Sequence, residues 1–552
     1  MFWNNPVFKR ELLGRLRSWK TVAAILVVAI ASSILVLLRW PTDATIADLS
    51  QGAVLVFRPL AFALTIAVMM LVPAFPATSL VAERRKGTLG LLLNSPMSPS
   101  AIYFGKLMSN VTLALILISV SLPALSACYA MGGISFKNNI GPLTVVLVAM
   151  AIQYSALGLW ISIRSSSSDG SLRWTYAAVL ALSVLSIGPL VVVGDMEGIL
   201  ADIARWLTTL SPLSALQQIT GSQSAGAGIG LDAGWIWFFG VSIVCTVALA
   251  WITIRKLDPI LLDRARPTGK VVGTPESKQS FLRRMTYLVD PNKRASGIPW
   301  WLNPIMVKEF RTRKFGRLHW LIRLISLCAI ISILLTVAAA IGAAKFKPEH
   351  IAGPLVLMQV ALMLLVGPSL GANLIASEIE SGGWQILRVT PIKAFRITSG
   401  KLFSVVWTML LVLLATLPGY AIMSFIQPAM SGQVGNVIIS LLVSVAMVVA
   451  ISACVSTFTK TTPVATATSY GVLLGLFAGT LLVWLARGNP FGPVFVERVL
   501  TLNPAAAALA EMQTPGFETY NLTPSAWWAG GIISLVCLMV MSIRIWVLTR
   551  PD

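Results

Sequence analysis

The sequence has few charged residues, and this scarcity excludes most soluble folds. Asp, Glu, Lys and Arg make up 11% of its 552 residues, whereas hydrophobic residues make up 56%. A soluble globular protein carries about a quarter charged residues. Together with a mean hydropathy of +0.81, this composition indicates that most of the chain lies in lipid.

The residues and motifs that build most catalytic and metal sites are also scarce. The chain has two histidines and five cysteines, with no CxxC, HExxH or GxSxG motif, so neither a disulfide framework nor a common metal site is indicated. The Walker A pattern GxxxxGK[ST] is missing too, because Gly105-Lys106 and Gly400-Lys401 lack the upstream glycine. We therefore expect no nucleotide, cofactor or metal site in this chain, and no enzyme activity of its own.

What the sequence does contain is an internal repeat. Five residues recur at an offset of 295: Pro73, Glu83, Pro96, Lys106 and Pro123 correspond to Pro368, Glu378, Pro391, Lys401 and Pro418. A register kept over some fifty residues is hard to obtain by chance. It predicts that the chain is two copies of one unit.

Each copy has six apolar runs of roughly the twenty residues that a membrane crossing needs. In the first copy they lie near 19–38, 54–81, 107–131, 143–163, 175–194 and 234–254. In the second they lie near 320–344, 353–377, 402–426, 434–458, 464–486 and 527–548. The prediction is an all-α membrane protein of about twelve transmembrane helices in two parallel six-helix repeats. Pro73 and Pro368 fall inside the second spans, where a neighbouring helix is expected to satisfy the freed carbonyl.

Positive charge is segregated to one side of the predicted bundle. With the N-terminus in the cytoplasm, 34 of the 42 Lys and Arg residues fall in cytoplasmic segments, while the acidic residues divide 11 to 10. This is the positive-inside rule, so the net charge of +21 sets topology and does not indicate nucleic acid. We expect a multi-pass protein of the plasma (inner) membrane with both termini cytoplasmic.

The charge and repeat patterns predict three parts: a membrane domain over 1–256, a cytoplasmic linker over 257–302 and a second membrane domain over 303–552. Each domain begins with Asn-Pro, a helix start, followed by basic residues alternating with apolar ones, typical of a helix lying on the membrane surface. The charged residues there are Lys9, Arg10 and Glu11 in the first domain and Lys308, Glu309 and Arg311 in the second. The alternative is an ordinary basic flank of the first span.

Two further segments recur. The outward-facing stretches 195–233 and 487–526 are too short to cross the membrane twice, so they predict either a re-entrant pair or two helices resting on the surface.

The cytoplasmic segment after the second span is a candidate docking element. Almost no charge is predicted within the spans, so an ion relay is not indicated. A transporter with neither an ion relay nor a nucleotide site must obtain its energy from another subunit. Its residues are Glu83, Arg84, Arg85, Lys86, Gly87 and Thr88 in the first copy and Glu378, Glu380, Gly382, Gly383 and Trp384 in the second.

The stretch ERRKGTLGLLLNSPMSPSAIYFGK, residues 83–106, resembles the permeases of the ABC-2 family, the membrane subunits of certain ATP-binding-cassette exporters. The resemblance implies an interface helix before the first span, a coupling helix after the second and a re-entrant pair after the fifth. It also implies a separate ATPase subunit, in two copies, that carries the ATP and Mg. The second copy departs from the family pattern, since Ile379, Glu380 and Ser381 replace the basic triplet.

The sequence thus favours the permease component of an ABC transporter, an exporter by resemblance, working in the lipid bilayer on an unidentified substrate. The main alternative is a secondary transporter with parallel six-span repeats, which needs charges or an ion site within the membrane. A membrane-bound enzyme or scaffold is the third, and the lack of a polar catalytic cluster counts against it.

Overall fold

The structure of the chain is a computed structural model. It describes residues 5–38, 46–165, 167–187, 190, 199–221, 234–257, 303–312, 326, 330, 349–390, 392, 394–426, 428–487, 491–514 and 516–549. Every regular element in these ranges is helical. The chain divides into two compact units, residues 1–265 with 482–496 and residues 266–481 with 497–552.

The helices of the first half follow the predicted spans, with shorter helices between them. They are α1 (Pro6–Leu16), α2 (Trp19–Leu38), α3 (Ile46–Leu71), α4 (Ala74–Arg85), α5 (Thr88–Leu93), α6 (Pro99–Ser119), α7 (Leu122–Ala130), α8 (Gly141–Arg164), α9 (Ser168–Leu180), α10 (Ile199–Thr208), α11 (Pro212–Ile219) and α12 (Gly234–Lys256).

The described helices of the second half repeat much of this order. They are α13 (Pro304–Thr312), α14 (Glu349–Gly371), α15 (Asn373–Glu380), α16 (Gly383–Val389), α17 (Ala394–Ile426), α18 (Ser431–Phe458), α19 (Thr462–Leu485), α20 (Pro493–Leu500), α21 (Pro504–Glu511) and α22 (Ser525–Thr549).

Ten of the twelve predicted spans have a counterpart of membrane-crossing length in the described residues: nine helical stretches, and α1 with α2, which meet at a bend of 65°. The predicted span 175–194 corresponds to the end of α9 and a π-helical turn at Ala181–Leu185, and part of it lies outside the described residues. The span 320–344 and the linker 257–302 lie almost wholly outside them. The protein is therefore an all-helical membrane protein with about ten spans in its described part.

The two second spans are each interrupted near the predicted proline: at Val72 and Pro73 in the first half, and at Ala372, four residues after Pro368, in the second. Tyr176 donates its hydroxyl hydrogen to the carbonyl of Met70 at 2.6 Å, three residues before Pro73. Tyr470 does the same to Leu365, three residues before Pro368, at 2.5 Å. Proline frees the carbonyl four residues before it, here Met69 or Leu364. The two tyrosines bind the next carbonyl along, so the expected partner of the freed carbonyl stays a prediction.

The most buried spans are α8 and α18. Small side chains on these two helices allow α4 and α15 to pack closely against them. Ser162 on α8 accepts from the backbone N–H groups of Leu80 and Val81, both at 3.1 Å. Ser456 on α18 accepts from Ile375 and Ala376 at 2.9 and 3.0 Å. Small hydroxyl residues allow this approach because helices in lipid associate through close packing and polar contacts rather than through apolar burial.

Short helix pairs occupy the described parts of the predicted outward-facing segments: α10 with α11, and α20 with α21. Ser211 caps α11 and donates its hydroxyl hydrogen to the carbonyl of Ser183. Asn503 caps α21 and donates its amide hydrogen to the carbonyl of Phe477. The second helix is largely buried in each case, with Ala505 to Ala508 at most 4% exposed. Such burial favours a re-entrant element over helices resting on a surface.

Candidate functional site

A buried lysine is the centre of the repeated motif in each half. Lys106 lies on the second turn of α6 and Lys401 at the matching place on α17, and their side chains are 1% exposed. The predicted boundary at residue 107 was wrong, because α6 begins at Pro99. Each lysine is the eighth residue of a helix that is long and apolar enough to cross a membrane.

Each lysine holds two carboxylates from two other helices, an arrangement that we call the lysine clasp. In the first half, Lys106 Nζ lies 2.8 Å from Glu11 Oε1 on α1 and 3.1 Å from Glu83 Oε2 on α4. Ser79 Oγ accepts a further hydrogen bond from the same ammonium at 2.9 Å. Because a buried ammonium is costly unless it is paired and hydrogen-bonded, these contacts fix the positions of three helices.

The second half builds the same clasp from the equivalent residues. Lys401 Nζ lies 2.6 Å from Glu309 Oε1 on α13 and 3.1 Å from Glu378 Oε1 on α15. A second, more exposed cation also pairs with one glutamate of each clasp. Arg10 lies 2.6 Å from Glu83, and Lys308 lies 2.8 Å from Glu378.

Glu11 in the first clasp has an altered acidity. Burial raises the pKa of this carboxyl, but Lys106, with Arg15 and Arg10, outweighs burial and holds the pKa below its usual value. The first clasp therefore carries a charged Glu11 at neutral pH.

The Asn-Pro starts dock α1 and α13 onto the following long helices. Asn5 caps α1 through Val7 N and donates its amide hydrogen to Ala101 O at 2.7 Å. Asn303 caps α13 through Ile305 N and donates to Arg396 O at 2.7 Å. The glycine before each lysine makes room, because a Cβ on Gly105 or Gly400 would lie 3.0 or 2.8 Å from the asparagine side chain. The repeated Gly-Lys pair is thus explained by two close contacts with the interfacial helix.

The predicted coupling loops follow directly, and both turn in the same way. Gly87 and Gly382 have φ 74° and ψ 0°, the left-handed conformation that favours glycine, and each begins a short helix, α5 or α16. In the first loop Arg85, Lys86 and Thr88 are exposed, and Thr88 Oγ1 donates to Glu83 O at 3.2 Å.

Several predicted loop residues turn out to bind within the protein. Arg84 donates to the carbonyls of Ile163 and Ser165 at the end of α8. Glu380 accepts from the backbone N–H and hydroxyl of Thr462 at the start of α19, and the Trp384 indole, 6% exposed, donates to Leu548 O at 3.2 Å. Glu83 and Glu378 lie in the last turns of α4 and α15, so neither carboxylate stabilises the N-terminus of its own helix.

The remaining predicted residues lie on the interfacial helices and on the short helix of the second loop. Lys9 is exposed on α1, and Gly383 is the first residue of α16. Arg311 lies on α13, but its side chain is outside the described residues. Sequence reasoning missed the role of Lys106 and Lys401, although the Gly-Lys pair had marked them at the offset of 295.

Comparison with known proteins agrees with this geometry. Residues 26–252 match the family model described as an ABC-2 family transporter protein. No curated protein matches the chain. In the residues described, no group of three or more His, Cys, Asp or Glu residues is placed to hold a metal ion. With its apolar spans and this match, the chain is a membrane-spanning transport protein of the permease kind, and its residues 26–252 belong to the ABC-2 transporter family.

Proposed function

We propose that this chain is the membrane component of an ABC exporter, powered by a separate ATPase subunit that docks on the two loops beginning at Glu83 and Glu378. The observation that carries the proposal is the repetition of one assembly 295 residues apart: a left-handed glycine turn, a short helix and a lysine clasp behind it. The repetition also supports assigning the second half to the same family as the matched first half.

The clasp suits a part that transmits force. A push on the α4–α5 turn acts on Glu83, which is paired to Lys106 on α6 and to Arg10 on α1. Three helices are therefore displaced together instead of the loop bending alone. The ATP and Mg belong to the partner, and two ATPase copies follow from two loops.

The two loops offer different surfaces to an ATPase. The first exposes Arg85 and Lys86, whereas Ser381 and Gly382 are exposed at the second. Charge-assisted contacts at an interface are worth about 1.5–3 kcal/mol each. We propose that the first loop supplies the larger share of the docking energy.

Reversing the charge of Arg85 and Lys86 tests the proposal that the first loop docks the ATPase. Arg85→Glu/Lys86→Glu should weaken co-purification with the ATPase and reduce ATP-dependent transport, while the permease still folds and inserts. Arg498→Glu, an exposed arginine on the predicted outer side, is the matched control and should change neither. Unaltered association and transport in the double variant would show that the loop is only a basic flank.

A secondary transporter is the second candidate, because the buried Lys–Glu pairs place charge inside two spans. The two mechanisms differ in their energy source. In sealed inside-out vesicles, ATP with the partner ATPase should drive transport in the presence of a protonophore. Transport that ignores ATP and collapses with the protonophore would favour the ion-coupled mechanism.

A further inference from the structure

An apolar cavity lies among three helices of the second unit, and no residue of the lysine clasp lines it. Its volume is about 540 Å³, within the range of ligand pockets. It is lined by α18, α19 and α22 through residues that include Cys454, Val455, Val472, Gly475, Ile533 and Cys537. The cavity is open on one side, and Val472 beside it is 45% exposed. An apolar chain can therefore reach it from the surface of the helices.

An arginine lies beyond one end of this cavity. α18 and α22 run in the same direction, since Trp527 contacts Ser440 near their starts and Arg544 lies over the Phe458 ring, 4.8 Å from its centroid, near their ends. Phe458 is one turn past Cys454, about 6 Å along the helix, and Arg544 is two turns past Cys537, about 10 Å. Both lie toward the side that the charge distribution predicts to be cytoplasmic.

Arg544 has no carboxylate partner within the described residues. None of their ion pairs includes it, and its buried Nε has no hydrogen-bond acceptor there. An arginine within a candidate span is costly unless it is paired or reaches the membrane interface. Lys460, exposed just after α18, adds a second positive charge at the same end. The local chemistry therefore calls for an anion beside an apolar groove.

We propose that the cavity and Arg544 form a binding site for one anionic phospholipid of the cytoplasmic leaflet. An acyl chain fills the apolar cavity, and the phosphate accepts hydrogen bonds from the Arg544 guanidinium, a pairing that arginine forms well. At the offset of 294 that relates Ser162 to Ser456 and Tyr176 to Tyr470, the first half has Ala250 in place of Arg544, so it lacks a cation at this position. The site goes beyond transport by an ATPase-driven permease and does not depend on the docking loops.

The test uses the purified full chain in lipid nanodiscs of phosphatidylcholine with or without phosphatidylglycerol, with thermal unfolding and native mass spectrometry as readouts. Phosphatidylglycerol should raise the melting temperature and remain bound as one copy per chain. Arg544→Gln should lower its affinity about tenfold, the effect of losing one charge-assisted contact, and Arg544→Lys should retain most of it. Arg255→Gln is the matched control, because Arg255 also lies over an aromatic ring, that of Trp251, at the end of a last span.

A second pair of variants tests the apolar part. Gly475→Leu should fill the cavity without a clash, since a Cβ there meets nothing within 4 Å, and should displace the lipid. Gly479→Leu is equally unhindered, does not line the cavity and should have no effect. The proposal is overturned if phosphatidylglycerol binds equally to wild type, Arg544→Gln and Gly475→Leu. It is also overturned if the three bind no lipid and Gly475→Leu instead releases a co-purifying membrane protein.

Discussion

Two residues, Lys106 and Lys401, connect most of the repeated sequence features of this chain. Each is buried on a long helix and paired to one glutamate from the interfacial helix and one from the second span. Replacing Lys106 with methionine keeps its length but leaves Glu11 and Glu83 without their shared cation. Removal of one partner of a buried ion pair costs about 3–5 kcal/mol. We expect Lys106→Met to lower the free energy of unfolding by about 3 kcal/mol, near the lower end because both glutamates are partly exposed.

The measurement is thermal or denaturant unfolding of the purified chain in detergent. Lys401→Met should cost at least as much, because Glu309 is only 6% exposed. Arg10→Ala is the matched control, since its side chain is 57% exposed and exposed ion pairs contribute about 1 kcal/mol or less. Adding Glu11→Gln to Lys106→Met should recover part of the loss. Equal stability of Lys106→Met and Arg10→Ala would contradict a structural clasp.

Glu11 gives the first clasp a pH dependence. Burial raises the pKa of this carboxyl, but Lys106, Arg15 and Arg10 outweigh that effect, and the pKa lies below the ordinary value of 4.5. A lowered pKa in the folded state means that the stabilisation is fully present above the ordinary value and is lost as the pH falls through the folded one. Below pH 4.5 the wild type should therefore lose stability more steeply than Glu11→Gln. Asp202→Asn, at a side chain 65% exposed, should keep the wild-type slope.

At the scale of elements, the left-handed glycine turn sets the direction of each predicted coupling helix. Gly87 and Gly382 share φ 74°, a conformation that costs another residue about 1–2 kcal/mol. Gly87→Ala should destabilise the turn by that amount and increase hydrogen exchange in α5. Gly90, three residues later inside α5, has open space around it, so Gly90→Ala should stabilise by about 0.5–1 kcal/mol instead. If both variants behave alike, α5 does not depend on the turn.

The same elements show what the sequence could and could not predict. Asparagine followed by proline marks a helix start, so the capped interfacial helices were predictable from the repeat alone. The ion pairs of Glu83 with Lys106 and Arg10 were not predicted, because these partners lie on other helices and come close only when the chain folds. The hydrogen bonds of Arg84 to the carbonyls that end α8 were missed for the same reason. Long-range pairing of charges is not encoded in a local pattern.

At the scale of the whole molecule, the positive charge distribution predicts which side of the membrane each loop faces. The segments predicted to be cytoplasmic hold 34 of the 42 Lys and Arg residues. The clasps agree with this assignment, because α1 and α13 bring Arg10 and Lys308 to the same ends of the spans as the two loops. Both docking loops, both termini and the segment 257–302 should therefore share one side, with 195–233 and 487–526 on the other.

Cysteine labelling in intact cells tests this topology. In a background without the five native cysteines, Ser222→Cys and Thr519→Cys should react with a membrane-impermeant thiol reagent, and Ser277→Cys should not. Thr519 is exposed, so burial cannot account for a lack of reaction there. Permeabilising the cells provides the control, because Ser277→Cys should then react while the other two are unchanged. Each basic residue placed on the outer side opposes the positive-inside preference. A reversed labelling pattern would therefore mean that the charge asymmetry is overridden in both halves at once. The docking loops would then face away from any cytoplasmic ATPase.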